Sequence, residues 1–199
     1  INAEYGDCMG LFDWIFKSLS FLGLYKKKAS IVFLGLDNAG KSTLLAMLKN
    51  GTAQQVAPTQ QPTSQTLEIG TIKFKTFDLG GHEVARKVWE EYTASANGIV
   101  FLVDIADRSR FEESCRSLQS LTQQKQFKDF PVLILANKID LPSAVSVDDV
   151  IQALKLTDQL TGKDASKLPA GVRPLEVFPC SVINKEGYAD GFKWLSHYV

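Results

Sequence analysis

Runs of apolar residues alternate with helical periodicities along most of this chain. Three continuous apolar runs predict strands covered on both faces, as in a parallel sheet, at 30–34, 98–103 and 131–136. Alternating apolar and polar positions predict a β-hairpin at 66–69 and 71–78, and a last strand is predicted at 175–178. Helical spacing predicts helices at 41–49, 84–96, 109–123, 146–156 and 188–198, with an irregular insertion at 157–173. The pattern therefore predicts an α/β fold with a mostly parallel six-stranded sheet and helices on both faces.

The first 28 residues follow a different pattern. Residues 9–25 are rich in bulky apolar side chains, and a helical wheel places the polar Asp13, Lys17 and Ser20 in one narrow wedge. With the basic run 26–28, this predicts an amphipathic membrane-binding helix at 9–28, whose inserted side chains are expected to be Leu11, Phe12, Trp14, Ile15 and Phe16. Two alternatives stay open: the helix packs permanently on the domain, or it is held in a groove in one state and released in another. Residues 1–8 are expected to be a leader or non-native residues, and 29–199 to form the folded domain.

Composition and charge limit the classes of function. Lys plus Arg and Asp plus Glu both number 22, so no overall field attracts nucleic acid, and no nucleic-acid partner is expected. Cys8, Cys115 and Cys180 lack the spacing of a disulfide framework or a metal site, which favours a reducing, cytoplasmic environment. The sequence contains no run of about 18 apolar residues and predicts no transmembrane helix.

The segment Gly35–Ser42, GLDNAGKS, matches the phosphate-binding P-loop pattern GxxxxGK[ST]. It lies between a predicted strand and a predicted helix, and chance would produce it in about one per cent of chains of this length. Lys41 is expected to contact the β- and γ-phosphates and Ser42 to ligate Mg²⁺. Backbone N–H groups are expected to surround the phosphates, with contacts at Asp37, Asn38, Ala39, Gly40, Lys41, Ser42 and Thr43. The fold is thus predicted to be that of P-loop NTPases.

A second motif, Asp78–Gly81 with the sequence DLGG, follows the predicted hairpin. Ligands of parallel sheets lie at the carboxyl ends of the strands, where this motif is placed. Asp78 can therefore hold Mg²⁺ through water, and the Gly81 amide can reach the γ-phosphate. The DxxG pattern is weak alone, but its position after the P-loop predicts the second half of one site.

A third motif, Asn137–Asp140 with the sequence NKID, ends the apolar run at 131–136. The carboxylate of Asp140 can accept hydrogen bonds from the ring N–H and the exocyclic amine of guanine, whereas adenine presents an acceptor there. Lys138 can cover the face of the base, and Asn137 can brace the loops. Ser181 and Val182 follow the last predicted strand and can add backbone N–H groups to the pocket. The three motifs together predict a site for GTP and GDP.

The chain resembles the Sar-type small GTPases of the COPII vesicle coat, which belong to the Ras-like GTPases. The similar blocks follow the order of that family: GLDNAGKS, PTQQPTS, FDLGGHEVARKVW, GIVFLVDIADRSRF, NKID and EGYADGFKWLSHYV. The resemblance implies a GTPase domain at 29–199 that converts GTP and water to GDP and phosphate. It implies that His82 orients the attacking water, with Lys41 as the second catalytic candidate. It also implies that Thr59 joins Ser42 and Asp78 on Mg²⁺, with Thr63 as the competing candidate.

The resemblance further implies a switch that inserts its N-terminal helix into the endoplasmic-reticulum membrane when GTP is bound and recruits the COPII coat for transport to the Golgi. Implied partners are the inner-coat subunits, including the activating subunit, a membrane-bound guanine-nucleotide exchange factor, and lipids of that membrane. The implied location is cytoplasmic, peripheral on the endoplasmic reticulum and its vesicles, with the Golgi apparatus as a further candidate.

The rate of hydrolysis can be judged from the residues themselves. No Arg or Lys lies between Lys49 and Lys73, so this stretch provides no arginine finger. A finger supplied by a partner adds about 10³–10⁵ in rate, and slow hydrolysis without an activating protein is therefore expected. Two alternatives stay open, an Arf-like membrane GTPase of another trafficking step and a GTP-binding membrane scaffold with little catalysis.

Overall fold

The computed structural model of the chain describes residues 29–50, 65–69, 72–76, 96–164 and 168–199. The predicted N-terminal amphipathic helix and residues 84–95 of the predicted helix at 84–96 lie outside the described residues, and Ala96 is not helical. In chain order the elements are β1 (Ala29–Gly35), α1 (Lys41–Asn50), β2 (Gln65–Ile69), β3 (Ile72–Thr76), β4 (Gly98–Asp104), a 3-10 turn (Arg108–Arg110), α2 (Phe111–Thr122), a second 3-10 turn (Lys125–Phe127), β5 (Val132–Asn137), α3 (Val147–Ala153), β6 (Leu175–Cys180) and α4 (Tyr188–Leu195).

The six strands form one sheet in the order β2-β3-β1-β4-β5-β6. Only the β2–β3 pair is antiparallel among the strand pairs described, so the predicted mostly parallel six-stranded sheet is confirmed. Parallel strands end at a common edge, and the register there places Asp104 opposite Asn137 and Asn137 opposite Cys180. Gly35, the last residue of β1, lies at the same edge, beside Leu102. The ends of four strands therefore meet where the sequence motifs begin.

Strand β4 shows why the apolar runs are uninterrupted. Ile99, Phe101 and Val103 belong to the core on the side of α2 and α3, whereas Val100 and Leu102 belong to the core on the side of α1 and α4. All five are at most 1% exposed. Because each fully buried large side chain contributes about 1.5–3 kcal/mol, both faces of the strand must be apolar.

Helix α3 is shorter than its predicted range of 146–156. Ser146 caps its beginning, and the Ser146 hydroxyl accepts a hydrogen bond from the Asp149 N–H at 3.1 Å. At the other end Lys155 has a φ of 58°, and the Leu156 N–H donates to the Ile151 carbonyl at 2.9 Å. A residue with positive φ ends the helical repeat, so the apolar spacing continues past the helix itself.

Helix α4 is also shorter than its predicted range of 188–198, since it ends at Leu195. The next N–H groups, those of His197 and Tyr198, bond to carbonyls only three residues back, at 3.1 and 3.0 Å. These are the tighter bonds with which helices commonly end. The final residues therefore form a turn rather than a continuation of the helix.

The predicted insertion at 157–173 is irregular in its described parts, 157–164 and 168–173, which contain no helix or strand. It is attached to the edge of the sheet along β6. The Thr161 N–H donates to the Leu175 carbonyl at 3.0 Å, and the Gly162 N–H donates to the buried Glu176 carboxylate at 2.8 Å. Trp194 of α4 donates its indole N–H to the Gly162 carbonyl at 3.2 Å. The insertion is thus fixed to β6 and α4.

Within the ranges that the structure describes, no helix is both long enough and apolar enough to cross a bilayer.

Candidate nucleotide-binding site

The loop between β1 and α1 contains the phosphate-binding motif and has an unusual backbone. Gly35, Asn38 and Gly40 have φ angles of 134°, 61° and 102°, all in the region that favours glycine. The two glycines are also required by space, since a Cβ at Gly35 would overlap the Leu102 carbonyl oxygen and one at Gly40 the Asn137 side-chain nitrogen. The loop is therefore packed directly against β4 and the end of β5.

Lys41 is the first residue of α1 and is only 2% exposed. Its ammonium group donates hydrogen bonds to the carbonyl oxygens of Gly35 at 2.9 Å and Leu36 at 2.6 Å. These bonds satisfy a buried charge that would otherwise be costly. A full positive charge is thereby held against the loop, at a helix N-terminus that also favours anions. The arrangement is suited to binding a phosphate group.

Ser42 and Thr43 follow in the first turn of α1, and both are partly buried. A hydroxyl group is an oxygen donor of the kind that Mg²⁺ prefers, so Ser42 fits a magnesium ligand. The described residues contain no cluster of three or more His, Cys, Asp or Glu that could hold a metal ion. The other predicted magnesium and γ-phosphate residues lie outside the described residues, namely Thr59 with its competitor Thr63, Asp78, Gly81 and His82.

Asn137, the last residue of β5, is buried and joins two loops. Its side-chain N–H₂ donates to the Ala39 carbonyl at 2.9 Å, and its side-chain oxygen accepts from the Val182 N–H at 3.1 Å. The Cys180 thiol donates to the same oxygen, with sulfur and oxygen 3.7 Å apart, and burial raises the pKa of that thiol to about 12. Asn137 therefore ties the phosphate loop to the segment that follows β6.

We predict that Asn137→Ala lowers stability and speeds nucleotide release. Removing the side chain leaves the buried Val182 N–H without this acceptor, a loss worth about 1–3 kcal/mol of unfolding free energy. The matched control is Asn97→Ala, which removes a side chain that accepts from the Ser30 N–H at 2.8 Å, near the beginning of β1. Urea denaturation should show a loss for both variants, whereas only Asn137→Ala should release bound nucleotide faster. Equal release by the two variants would contradict a bracing role.

Asp140 and Ser181 lie side by side at the carboxyl edge of the sheet. The Ser181 hydroxyl donates to the Asp140 carboxylate at 2.6 Å and accepts from the Asn184 N–H at 3.1 Å. Ser181 is fully buried, whereas Asp140 is exposed. A buried hydroxyl thus orients an accessible carboxylate. The sequence predicted a backbone N–H group of Ser181 in the base pocket, but that N–H donates to the Glu186 carbonyl at 3.0 Å. The side-chain contact of Ser181 with Asp140 was missed from the sequence.

Lys138 has a φ of 75°, which turns the chain sharply after β5. Its ammonium group forms an ion pair of 2.6 Å with the carboxylate of Asp104, the last residue of β4. The other Asp104 oxygen accepts from the Ala106 N–H at 3.0 Å. The partner Asp104 was missed from the sequence, where its only signal is a single acidic residue at the end of an apolar run.

Asp37, in the phosphate loop, contacts Arg110 at the beginning of α2. The guanidinium group donates to the Asp37 carboxylate at 2.6 Å and to the Asp37 carbonyl at 3.2 Å. The hydrogen bond from Arg110 is the main cause that lowers the pKa of the Asp37 carboxyl group, so the carboxylate stays ionised. Arg110 was also missed from the sequence. Arg108, Ser109 and Arg110 are adjacent there, and nothing in the pattern indicates which of them faces the loop.

Several sequence-predicted residues therefore come together at one edge of the sheet. The phosphate-loop residues Asp37, Asn38, Ala39, Gly40, Lys41, Ser42 and Thr43 lie at the beginning of α1, and Asn137 links them to the segment with Ser181 and Val182. Lys138 and Asp140 follow β5 at the same edge. This edge can accept a phosphate group at one end and a purine edge at the other.

Comparison with known proteins agrees with this geometry. The family model described as the ADP-ribosylation factor family matches residues 15–199. The small COPII coat GTPase SAR1 of Giardia intestinalis is 63% identical over 191 residues, which cover 96% of this chain and 100% of that protein. The protein of the same name from Nicotiana tabacum is 43% identical over 202 residues, covering 96% of this chain and 100% of that protein. ADP-ribosylation factor J of Dictyostelium discoideum is 33% identical over 172 residues, covering 86% of each. The chain thus belongs to the ADP-ribosylation factor family, in its Sar-type branch, and is a GTPase.

Proposed function

We propose that this chain is the GTP-hydrolysing switch of a COPII coat and acts in vesicle transport from the endoplasmic reticulum to the Golgi. The observation that supports this most is the 63% identity to a small COPII coat GTPase along that protein's whole length. The geometry agrees, because the edge of the sheet brings a phosphate loop and an accessible carboxylate together. The GTPase domain is at 29–199, and the membrane-binding segment at 9–28 precedes it.

The nucleotide lies along this edge of the sheet. The loop at 37–43 surrounds the phosphates, and Asp140 accepts hydrogen bonds from the guanine edge. Lys138, held by Asp104, covers one face of the base with its aliphatic stem. The Val182 N–H is occupied by Asn137, so this residue supports the pocket rather than donating to the base.

Hydrolysis depends on residues around the β- and γ-phosphates. Ser42, Thr59 and Asp78 would hold Mg²⁺, with Thr63 as the alternative to Thr59, and the ion would supply positive charge beside the phosphates. Lys41 provides a second positive charge, the Gly81 amide contacts the γ-phosphate, and His82 orients the attacking water. Because no Arg or Lys lies between Lys49 and Lys73, the reaction is slow, and an activating coat subunit completes the site.

Nucleotide state is read out at the membrane. The apolar side chains Leu11, Phe12, Trp14, Ile15 and Phe16 insert into the bilayer when GTP is bound. Each inserted large side chain contributes about 1.5–3 kcal/mol, so a few of them give reversible binding. A membrane-bound exchange factor loads GTP, and inner-coat subunits bind the loaded form. The protein is peripheral on the endoplasmic reticulum and its vesicles, with the Golgi apparatus as the further candidate location.

Flotation with liposomes tests this proposal. With a non-hydrolysable GTP analogue, the full chain should float with liposomes of endoplasmic-reticulum lipid composition and should bring purified inner-coat subunits with it. With GDP, both should stay in the soluble fraction. Trp14→Ala should weaken membrane binding by about tenfold to a hundredfold. The matched control Ser20→Ala, in the polar wedge of the same segment, should float normally.

Two results would contradict the proposal. Equal flotation with GDP and the GTP analogue would contradict a nucleotide-dependent switch. If the loaded chain floats but the added coat subunits stay in the soluble fraction, the assignment to the coat would be contradicted.

A further inference from the structure

Arg110 makes three hydrogen bonds that fix its guanidinium group against the phosphate loop. Two of them go to Asp37, 73 positions earlier in the chain, at 2.6 Å to the carboxylate and 3.2 Å to the carbonyl oxygen. The third goes from the Arg110 Nε to the Glu113 carboxylate at 2.9 Å. A planar guanidinium with several fixed donors is pre-organised for such contacts. Arg110 therefore holds both the side chain and the backbone of one loop residue.

The segment that positions Arg110 begins at the guanine end of the site. Asp104 pairs with Lys138, and the Ile105 N–H donates to the Asn137 carbonyl at 3.0 Å. The chain then turns through Asp107, whose carboxylate accepts from the Ser109 hydroxyl at 2.5 Å, before it reaches Arg110. The segment 104–110 thus connects the NKID loop to the phosphate loop.

The charge of Asp37 gives this contact a further consequence. In the proposed function the phosphate loop binds the negatively charged phosphates of the nucleotide. The negative charge of the Asp37 carboxylate in this loop repels them. Arg110 places a positive charge against this carboxylate, so the loop presents less negative charge to the phosphates. The same bond restrains a loop whose backbone includes three residues with positive φ.

We propose that Arg110 is a positioning residue for the nucleotide, acting through Asp37 to hold the phosphate loop in its binding conformation and to neutralise its carboxylate. This inference rests on the proposed function of the site. An exposed ion pair alone usually contributes little, and the Asp37 side chain is 54% exposed. The Arg110 side chain is only 29% exposed, however, and the additional bonds to the Asp37 carbonyl and to Glu113 set this contact apart from a surface pair.

Release of a fluorescent guanine nucleotide from the full chain, with Mg²⁺ kept constant, tests the proposal. Arg110→Gln should release the nucleotide about tenfold faster than the wild type, a change that corresponds to about 1.4 kcal/mol. The matched control is Arg108→Gln, which makes the same substitution on an exposed residue of the same turn and should leave the rate unchanged. Equal rates for wild type, Arg108→Gln and Arg110→Gln would overturn the proposal.

A second substitution separates this role from a merely structural one. Adding Asp37→Asn to Arg110→Gln removes the carboxylate that Arg110 no longer neutralises, so release should become slower again. A double variant that releases as fast as Arg110→Gln or faster would show that Arg110 does not act through the charge of Asp37. If Arg110→Gln does not fold, Arg110→Lys takes its place. Lysine keeps the charge but lacks the planar set of guanidinium donors, so Arg110→Lys should release the nucleotide about threefold faster than the wild type. Unchanged release by Arg110→Lys would then overturn the proposal.

Loading of the wild-type chain with guanine nucleotide separates a failure of the proposed function from a failure of the Arg110 proposal. A wild-type chain that cannot be loaded with guanine nucleotide would contradict the nucleotide site and the proposed function with it. A wild type that loads normally, together with variants that release at its rate, would contradict only the role of Arg110.

Discussion

Asp140→Asn is expected to reduce the affinity for GTP by about 10⁴-fold and to create a preference for xanthosine triphosphate. The carboxylate of Asp140 can accept hydrogen bonds from both donors on the guanine edge. An asparagine would place its N–H₂ against the exocyclic amine of guanine, so two donors would face each other. Xanthine has a carbonyl oxygen in place of that amine, and the asparagine N–H₂ can donate to it.

The structure indicates that this substitution leaves the pocket in place. Ser181 is fully buried, and its hydroxyl is also held by the Asn184 N–H at 3.1 Å. An asparagine side-chain oxygen can accept from the Ser181 hydroxyl as the aspartate oxygen does at 2.6 Å. The loss of GTP affinity should therefore come from mismatched hydrogen bonds rather than from a displaced loop.

Competition binding with GTP and xanthosine triphosphate measures the change. Asp148→Asn is the matched control, since it removes the same charge from an exposed position in the first turn of α3. The control should keep the wild-type preference for GTP. A variant at Asp140 that also keeps this preference would show that another group reads the base.

The sheet could be predicted because the burial of each strand depends on consecutive residues of that strand. Strands β1, β4 and β5 are buried on both faces, and burial on both faces leaves a continuous apolar run in the sequence. The phosphate loop could be predicted for a similar reason. Gly35 and Gly40 are required where φ is positive and where β4 and Asn137 approach closely, so the motif records the geometry directly.

The side-chain partners could not be predicted, because they depend on distances between separate elements. Lys138 pairs with Asp104 and Arg110 with Asp37, and these pairs form only once the strand ends lie together. Ser181 contacts Asp140 across 41 positions. A polar residue that points towards the loop and one that points to solvent look alike in the sequence, as Arg108 and Arg110 show.

The helix ends show a related gap between pattern and backbone. The apolar spacing of α3 continues to Leu156, which is buried, although the helix has already ended at Ala153. Hydrophobic periodicity reports which side chains are buried, and it does not report the positive φ at Lys155 that breaks the helix. Burial and helix ends are therefore separate properties, and the sequence pattern predicts the first better.

Lys41→Met is expected to weaken GTP binding by about 10²–10⁴-fold. In the structure the ammonium group donates to the Gly35 and Leu36 carbonyls, and in the proposed complex it turns its charge to the β- and γ-phosphates. A hydrogen bond to a charged group is worth about 1.5–3 kcal/mol, and two such bonds account for this range. Methionine is similar in length to lysine but has neither the charge nor the donors.

Loss of affinity must be separated from loss of folding. Lys41→Met removes the cost of a buried charge but leaves the Gly35 and Leu36 carbonyls without this donor. The variant should therefore lose about 1–3 kcal/mol of unfolding free energy and still fold, which urea denaturation would show. Lys49→Met, in the last turn of the same helix and exposed, is the matched control and should bind GTP normally.

The phosphate dependence of binding gives the sharper test of Lys41. The charge acts on the β- and γ-phosphates, so Lys41→Met should lose affinity for GTP and GDP, while its weak affinity for guanosine should equal that of the wild type. Calorimetric titration with the three ligands would show this pattern. An equal loss for guanosine would mean that the substitution disturbs the pocket as a whole, because guanosine has no phosphate for Lys41 to contact.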